Sequence, residues 1–83
     1  MTKKAENEKR AAAKFAQWTS AAASTADARA DVVQQIAELE AAATSIGLAD
    51  FDEWADEYNR LGAMLKGLTI RLETERALAG ALM

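Results

Sequence analysis

The residues best suited to chemistry form one acidic cluster in the second half of the chain. It consists of Asp50, Asp52, Glu53, Asp56 and Glu57. Carboxylates this dense can bind a divalent cation, imitate the phosphates of a nucleic acid, or contact a basic partner protein. The spacing lacks the Gly within a twelve-residue loop and the closing Glu of a calcium-binding loop. Acidic residues also stabilise the first turn of a helix, and the sequence favours that structural role.

A second charged cluster is basic and lies near the N-terminus. Such a cluster could bind phosphate or nucleic acid, and Arg71 and Arg76 would join it if the chain folds back on itself. No aromatic residue alternates with the lysines to stack bases, so a solvated helix end is the favoured interpretation. The N-terminal members are Lys3, Lys4, Lys9, Arg10 and Lys14.

The composition argues against several other classes of chemistry. The chain has no His and no Cys, so the commonest general base, the commonest metal ligands and any disulfide are absent. We therefore expect no enzymatic activity, no cofactor and no metal site. No uncharged stretch approaches the ~18 apolar residues of a membrane span, and no secretory signal is recognisable. These features predict a cytoplasmic protein without a membrane partner.

Two rows of residues at heptad spacing dominate the rest of the sequence. Steps of three and four residues alternate strictly in both rows, which is typical of helices that wind around one another. The first row is Phe15, Trp18, Ala22, Thr25, Arg29, Val32, Ile36, Leu39, Ala43 and Ile46. The second row is Phe51, Trp54, Tyr58, Leu61, Leu65, Leu68, Leu72, Glu75, Ala79 and Leu82.

A short turn separates the two rows. Gly47 suits the left-handed position after a helix, and Asp50 with Glu53 suits an N-cap and capping box. The sequence therefore predicts one all-α domain over residues 1–83, with a helix over about 5–45, a turn at 46–50 and a helix over about 51–80. The turn is short enough to make this an antiparallel two-helix coiled-coil hairpin, in which paired residue numbers add up to about 97. We expect the first helix to continue through Ser24.

Apolar residues beside the two rows make the predicted buried stripe too wide for one partner helix. A two-helix hairpin of this size also buries little apolar surface by itself. We therefore expect a homodimer that forms a four-helix bundle, with a permanent complex with another protein as the alternative. Val33, Met64 and Leu78 are the expected interface residues.

Arg29 and Glu75 are the two charged residues within the heptad rows. A single polar residue at such a position commonly fixes the register or the oligomeric state of a coiled coil. The predicted register separates them by one heptad, so we expect each to find its partner across the dimer interface.

Ile70 interrupts the outer face of the second helix, and with Ala63 and Gly67 it forms a candidate partner-binding patch. Together these features favour a small non-enzymatic interaction or assembly protein. One alternative is an inhibitor, such as a phage-encoded one, whose acidic Asp52, Asp56 and Glu57 imitate nucleic acid. A second alternative is nucleic-acid binding through the basic residues. No family motif is present, and the turn reads Ile46, Gly47, Leu48.

Overall fold

The computed structural model describes the backbone of residues 2–82 and the side chains of residues 3–82. Helix α1 runs over Thr2–Ala42 and helix α2 over Phe51–Ala81. Two short 3-10 helices, Ala43–Ser45 and Leu48–Asp50, connect them. The helices pack against each other in a rod of 71 × 14 × 13 Å. The predicted all-α antiparallel hairpin is confirmed, while Met1 and Met83 lie outside the described residues.

The two heptad rows face each other along the rod and form its core. Every position in both rows is buried or partly buried except Ala43 and Phe51. Val32, Leu61, Leu72 and Ala79 are the buried apolar residues. Because each turn of 3.6 residues nearly matches the 3.5-residue repeat, the same side of each helix stays turned toward its partner.

The helix boundaries differ slightly from those expected. Helix α1 begins at Thr2, earlier than predicted, and continues through Ser24 without a break, as predicted. Its α-helical part ends at Ala42, because the next three residues tighten into a 3-10 turn. Helix α2 agrees with the prediction within about one residue at each end.

Side-chain hydrogen bonds between the helices establish the register. Arg29 Nε donates to Thr69 Oγ1 over 2.9 Å, and the Tyr58 hydroxyl donates to Glu40 Oε1 over 3.1 Å. Both pairs of residue numbers add up to 98, close to the predicted 97. The end of α2 therefore lies opposite residue 17, and α1 extends about 20 Å further without another described helix beside it. We call this segment, residues 2–14, the overhang.

The turn departs from both local predictions. Gly47 has φ −78° and ψ 162°, an extended conformation, so the expected left-handed glycine is wrong. The chain reverses through the two 3-10 turns instead, with Ile46 also extended. Asp50 already has helical dihedrals, φ −102° and ψ −3°, and its side chain makes no capping hydrogen bond. The predicted capping box is therefore wrong, because a capping side chain needs an extended backbone to reach the next N–H groups.

Trp54 anchors α2 to the end of α1. Its indole Nε1 donates to the Leu39 carbonyl over 2.9 Å. That carbonyl lies in the last turn of α1, where the helix cannot supply every acceptor with a donor. The Trp54 ring stacks on Phe51 and on Tyr58, with centroids 6.0 Å and 5.1 Å apart. This aromatic group closes the hairpin next to the turn.

Candidate functional site

Glu75 is a charged residue inside the helix contact. Its exposure is 4%, and it accepts a hydrogen bond from the hydroxyl of Thr25, which is 5% exposed. Arg71 Nε lies 3.7 Å from the other carboxylate oxygen, but the Arg71 side chain is mostly in solvent. The partner of Glu75 in the structure is therefore within the same hairpin, and its expected contact across a dimer stays a prediction.

Arg29, the second charged residue of the heptad rows, is partly buried and bonds to Thr69 of α2. It lines a shallow groove of about 350 Å³ with Ala26, Leu72 and Arg76. We call this side of the hairpin the Arg29 side. Arg29 and Glu75 each have a separate partner, in agreement with the prediction that they do not pair with each other.

The opposite side of the helix contact carries a larger groove, and we call it the Met64 side. Its volume is about 530 Å³, and its floor is formed by Val32 and Leu68. Met64, 42% exposed, lies at its edge, together with the polar residues Asp31, Gln35 and Arg71. Leu78 is also exposed. Val33, at 41% exposure, follows Val32 by one residue and lies on the Arg29 side.

The structure therefore divides the predicted interface residues between two sides. In an antiparallel hairpin, residues that directly follow a heptad-row residue project to one side of the contact. Residues that directly precede a heptad-row residue project to the opposite side. Val33 and Arg29 belong to one side, whereas Met64 and Leu78 belong to the other. A single flat partner surface can cover only one of these pairs.

A longer exposed surface on α1 includes the predicted interface residue Val33, but its other members were not among the predicted sites. We call it the alanine face, and every member is exposed except Ala26, which is partly buried. The sequence does carry a signal for this surface, because its residues form a third row at heptad spacing. Small residues on a long helix are, however, easily attributed to helix propensity alone. The alanine face consists of Ala12, Ala16, Thr19, Ala23, Ala26, Ala30, Val33 and Ala37.

The acidic cluster lies at the tip of the hairpin, which comprises residues 46–57. Asp52 and Asp56 are exposed, whereas Glu57 is partly buried. A hydrogen bond from the Arg60 guanidinium lowers the pKa of Glu57, and Arg60 neutralises part of the cluster's charge. Leu48 projects from the same tip with 98% exposure. Nucleic-acid mimicry by Asp52, Asp56 and Glu57 stays a prediction.

Tyr58 supplies a pH-dependent contact beside the tip. Its hydrogen bond to the Glu40 carboxylate raises the pKa of the phenol, because a phenolate could not donate and would repel the carboxylate. The folded pKa exceeds the unfolded one, so this contribution to stability is complete below the unfolded pKa of about 10 and is lost as pH rises through the folded value. In an ultraviolet absorbance titration, this single tyrosine should ionise later in the native protein than in urea.

Glu40→Gln is the control for that titration. The amide keeps a hydrogen-bond acceptor and removes the negative charge, so the tyrosine pKa should return toward its ordinary value. An unchanged titration curve in this variant would show that Glu40 is not the cause of the shift.

The basic residues lie mainly on the overhang. Lys3, Lys4, Lys9, Arg10 and Lys14 are all exposed, in line with a solvated helix end. Because the chain ends of both helices lie at the same end of the rod, Arg76 is on the same half of the hairpin. Nucleic-acid binding by these residues stays a prediction.

Ile70 is 56% exposed, and Ala63 and Gly67 beside it are exposed as well. A Cβ added at Gly67 would meet open space, so close packing inside the hairpin does not require glycine there. The proposed patch therefore exists as an exposed surface, and partner binding by it stays a prediction.

Residues 2–82 contain no cluster of three or more carboxylate, His or Cys residues that could hold a metal ion. Over the same residues, neither helix is apolar over a sufficient length to cross a membrane.

Neither protein-family models, nor curated proteins, nor solved structures gave a match to this chain.

Proposed function

We propose that this protein is a non-enzymatic helical assembly module that acts by pairing with a second copy of itself in a four-helix bundle. One observation carries the proposal, namely the area that the hairpin leaves exposed. The chain exposes 6327 Å², whereas a compact monomer of 8.9 kDa exposes about 4,800 Å². The difference exceeds the ~800 Å² that each partner buries in a stable interface.

The distribution of the exposed area supports the same proposal. Apolar side chains such as Val33, Met64 and Leu78 remain uncovered next to the helix contact. Among the residues that the structure describes, no helix lies beside the overhang, and an isolated helical segment of this length is marginal in water. A second hairpin would cover these apolar side chains and would place a helix beside the overhang.

The solution mass of the protein tests this proposal. Light scattering after size exclusion, over a dilution series, should give twice the mass of the 8.9 kDa chain at high concentration. Circular dichroism on the same samples should show helicity falling as the dimer dissociates, because the separated hairpin buries little apolar surface.

A mass of one chain at every concentration would overturn self-association. If that monomer were fully helical, the hairpin would be stable alone. If it were poorly helical, the uncovered surface would require a different protein, which is the competing form of an assembly function.

A further inference from the structure

The alanine face has the geometry of a second helix contact. From Ala16 to Ala37, each of its residues follows directly after a residue of the first heptad row, as Val33 follows Val32, and Ala12 continues the same spacing toward the N-terminus. The face is therefore rotated by about 100° around α1 from the contact with α2. Each helix at the corner of a four-helix bundle contacts two neighbours in roughly perpendicular directions. Small side chains on such a contact allow two helices to approach closely.

Charged residues at both ends of the alanine face determine which helix fits it. The row continues at heptad spacing to Lys9 at one end and to Glu40 at the other. When two copies of α1 lie antiparallel, Lys9 of each copy meets Glu40 of the other if paired numbers add up to 49. The same register places Ala12 opposite Ala37 and Val33 opposite Ala16. A large residue thus faces a small one, and both charges are paired.

Helix α2 gives an independent indication of the same two-fold axis. In the register above, the axis passes between Ala23 and Ala26 of α1. Side-chain hydrogen bonds place residues 73–76 of α2 near that level, since Thr25 bonds to Glu75 and Arg29 bonds to Thr69. Glu73 and Arg76 lie on either side of this level and line the groove of the Arg29 side. The axis therefore places Glu73 of each copy near Arg76 of the other.

The charge of the whole hairpin favours the antiparallel arrangement. On the side of the axis that holds the chain ends, residues 2–24 and 75–82 carry six basic and three acidic residues. On the side that holds the tip, residues 25–74 carry four basic and ten acidic residues. An antiparallel dimer places the basic half of each copy on the acidic half of the other, whereas a parallel dimer places like charges together.

The same arrangement covers the overhang. Residues 2–14 of one copy lie along residues 35–47 of the other, next to Glu38 and Glu40. From these observations we infer that the alanine face is an antiparallel interface between two copies of α1, on the Arg29 side of the hairpin. This inference rests on the proposed function and specifies its partner, side and orientation.

The Met64 side is the alternative surface for a second copy. Its groove is wider, but Asp31, Gln35 and Arg71 interrupt its apolar lining. Among the described residues, this groove does not have a basic residue at one end and an acidic residue at the other, as the alanine face has with Lys9 and Glu40. The inferred dimer therefore leaves Met64 and Leu78 in solvent.

Matched substitutions on the two sides test the choice of interface. Val33→Lys and Met64→Lys change apolar residues of nearly equal exposure, 41% and 42%, and change the net charge by the same amount. Val33→Lys should raise the dimer dissociation constant by at least about thirtyfold, because it places two lysines in the interface. Met64→Lys should leave the constant within about threefold. Sedimentation equilibrium measures both, and circular dichroism at high concentration checks that each variant remains helical.

Charge exchange tests the register. Lys9→Glu should raise the dissociation constant by about tenfold at low salt, because two ion pairs become two repulsive contacts. Adding Glu40→Lys in the same chain should return it to within about threefold of the original value. Glu40→Lys also removes the acceptor of the Tyr58 hydroxyl, so circular dichroism first checks that the double variant is as helical as the original chain. Failure of that helical double variant to recover would overturn the inferred register.

Distances between spin labels test the orientation. The chain has no cysteine, so Ser20→Cys and Ala41→Cys each provide one label site. An antiparallel dimer with its axis between Ala23 and Ala26 places labels about 14 Å apart along the rod at position 20 and about 50 Å apart at position 41. A parallel dimer gives similar short distances at both sites and would overturn the inference.

These outcomes separate the inference from the proposed function. A dimer that is disrupted by Met64→Lys and not by Val33→Lys overturns the inferred interface and leaves self-association intact. A single-chain mass for the unmodified protein overturns both.

Discussion

Thr25→Val is expected to destabilise the protein by about 2–3 kcal/mol. Valine has nearly the same shape as threonine but cannot donate to the Glu75 carboxylate, which is 4% exposed. Among the described residues, the carboxylate would then retain only Arg71, whose Nε is 3.7 Å away and whose side chain is mainly in solvent. Urea unfolding followed by circular dichroism, at one fixed protein concentration, measures the loss.

The double variant Thr25→Val/Glu75→Leu provides the control for this prediction. It removes both polar groups and fills the space with apolar atoms, so the stability should return to that of the original chain or exceed it. If Thr25→Val alone changed the free energy of unfolding by less than about 0.5 kcal/mol, Arg71 would be a sufficient partner for Glu75. In that case the Thr25 hydroxyl would contribute nothing that Arg71 does not supply.

Leu61→Ala is expected to cost about 3 kcal/mol. Leu61 is 2% exposed and is the most deeply buried large side chain among the described residues. Removing the methine and two methyl carbons loses their transfer free energy and leaves a cavity between two helices that have few other contacts to compensate. A chain of this length has a total stability of about 4–12 kcal/mol, so the loss is a large fraction. Thermal and urea unfolding at fixed concentration both measure it.

Ile70→Ala is the matched control for Leu61→Ala, since it also shortens an aliphatic side chain in the middle of α2. Ile70 is 56% exposed, so this change should stay within about 0.5 kcal/mol. Equal effects of the two substitutions would mean that Leu61 does not lie in the core or that Ile70 is covered in solution. The second explanation would revive the patch formed with Ala63 and Gly67.

The acidic tip and the overhang acquire a common role if the inferred dimer is correct. The tip would provide negative charge for the lysines of the second copy, which explains both charged clusters without nucleic acid or metal. The exposed Leu48 and Phe51 stay outside this explanation.

The heptad rows determined most of the fold without any structural information. Burial along a seam requires residues at steps of three and four, so Val32, Leu61 and Leu72 could be assigned to the core from spacing alone. A short connection between two such rows permits only an antiparallel hairpin, and the same spacing fixed the register to within about one helical turn. Continuity of α1 through Ser24 also followed, because the row keeps its phase there.

Only the tertiary structure decided how the turn and the polar core residues are arranged. Gly47 and Asp50 match common capping patterns, yet the 3-10 turns around them lead to backbone angles that make neither cap. Glu75 could have bonded to several residues within one turn of its position, and the selection of Thr25 depends on helix rotation and side-chain conformation together. Spacing identifies the residues that share a face, whereas the sides left uncovered, including the alanine face, depend on how two complete helices fit around each other.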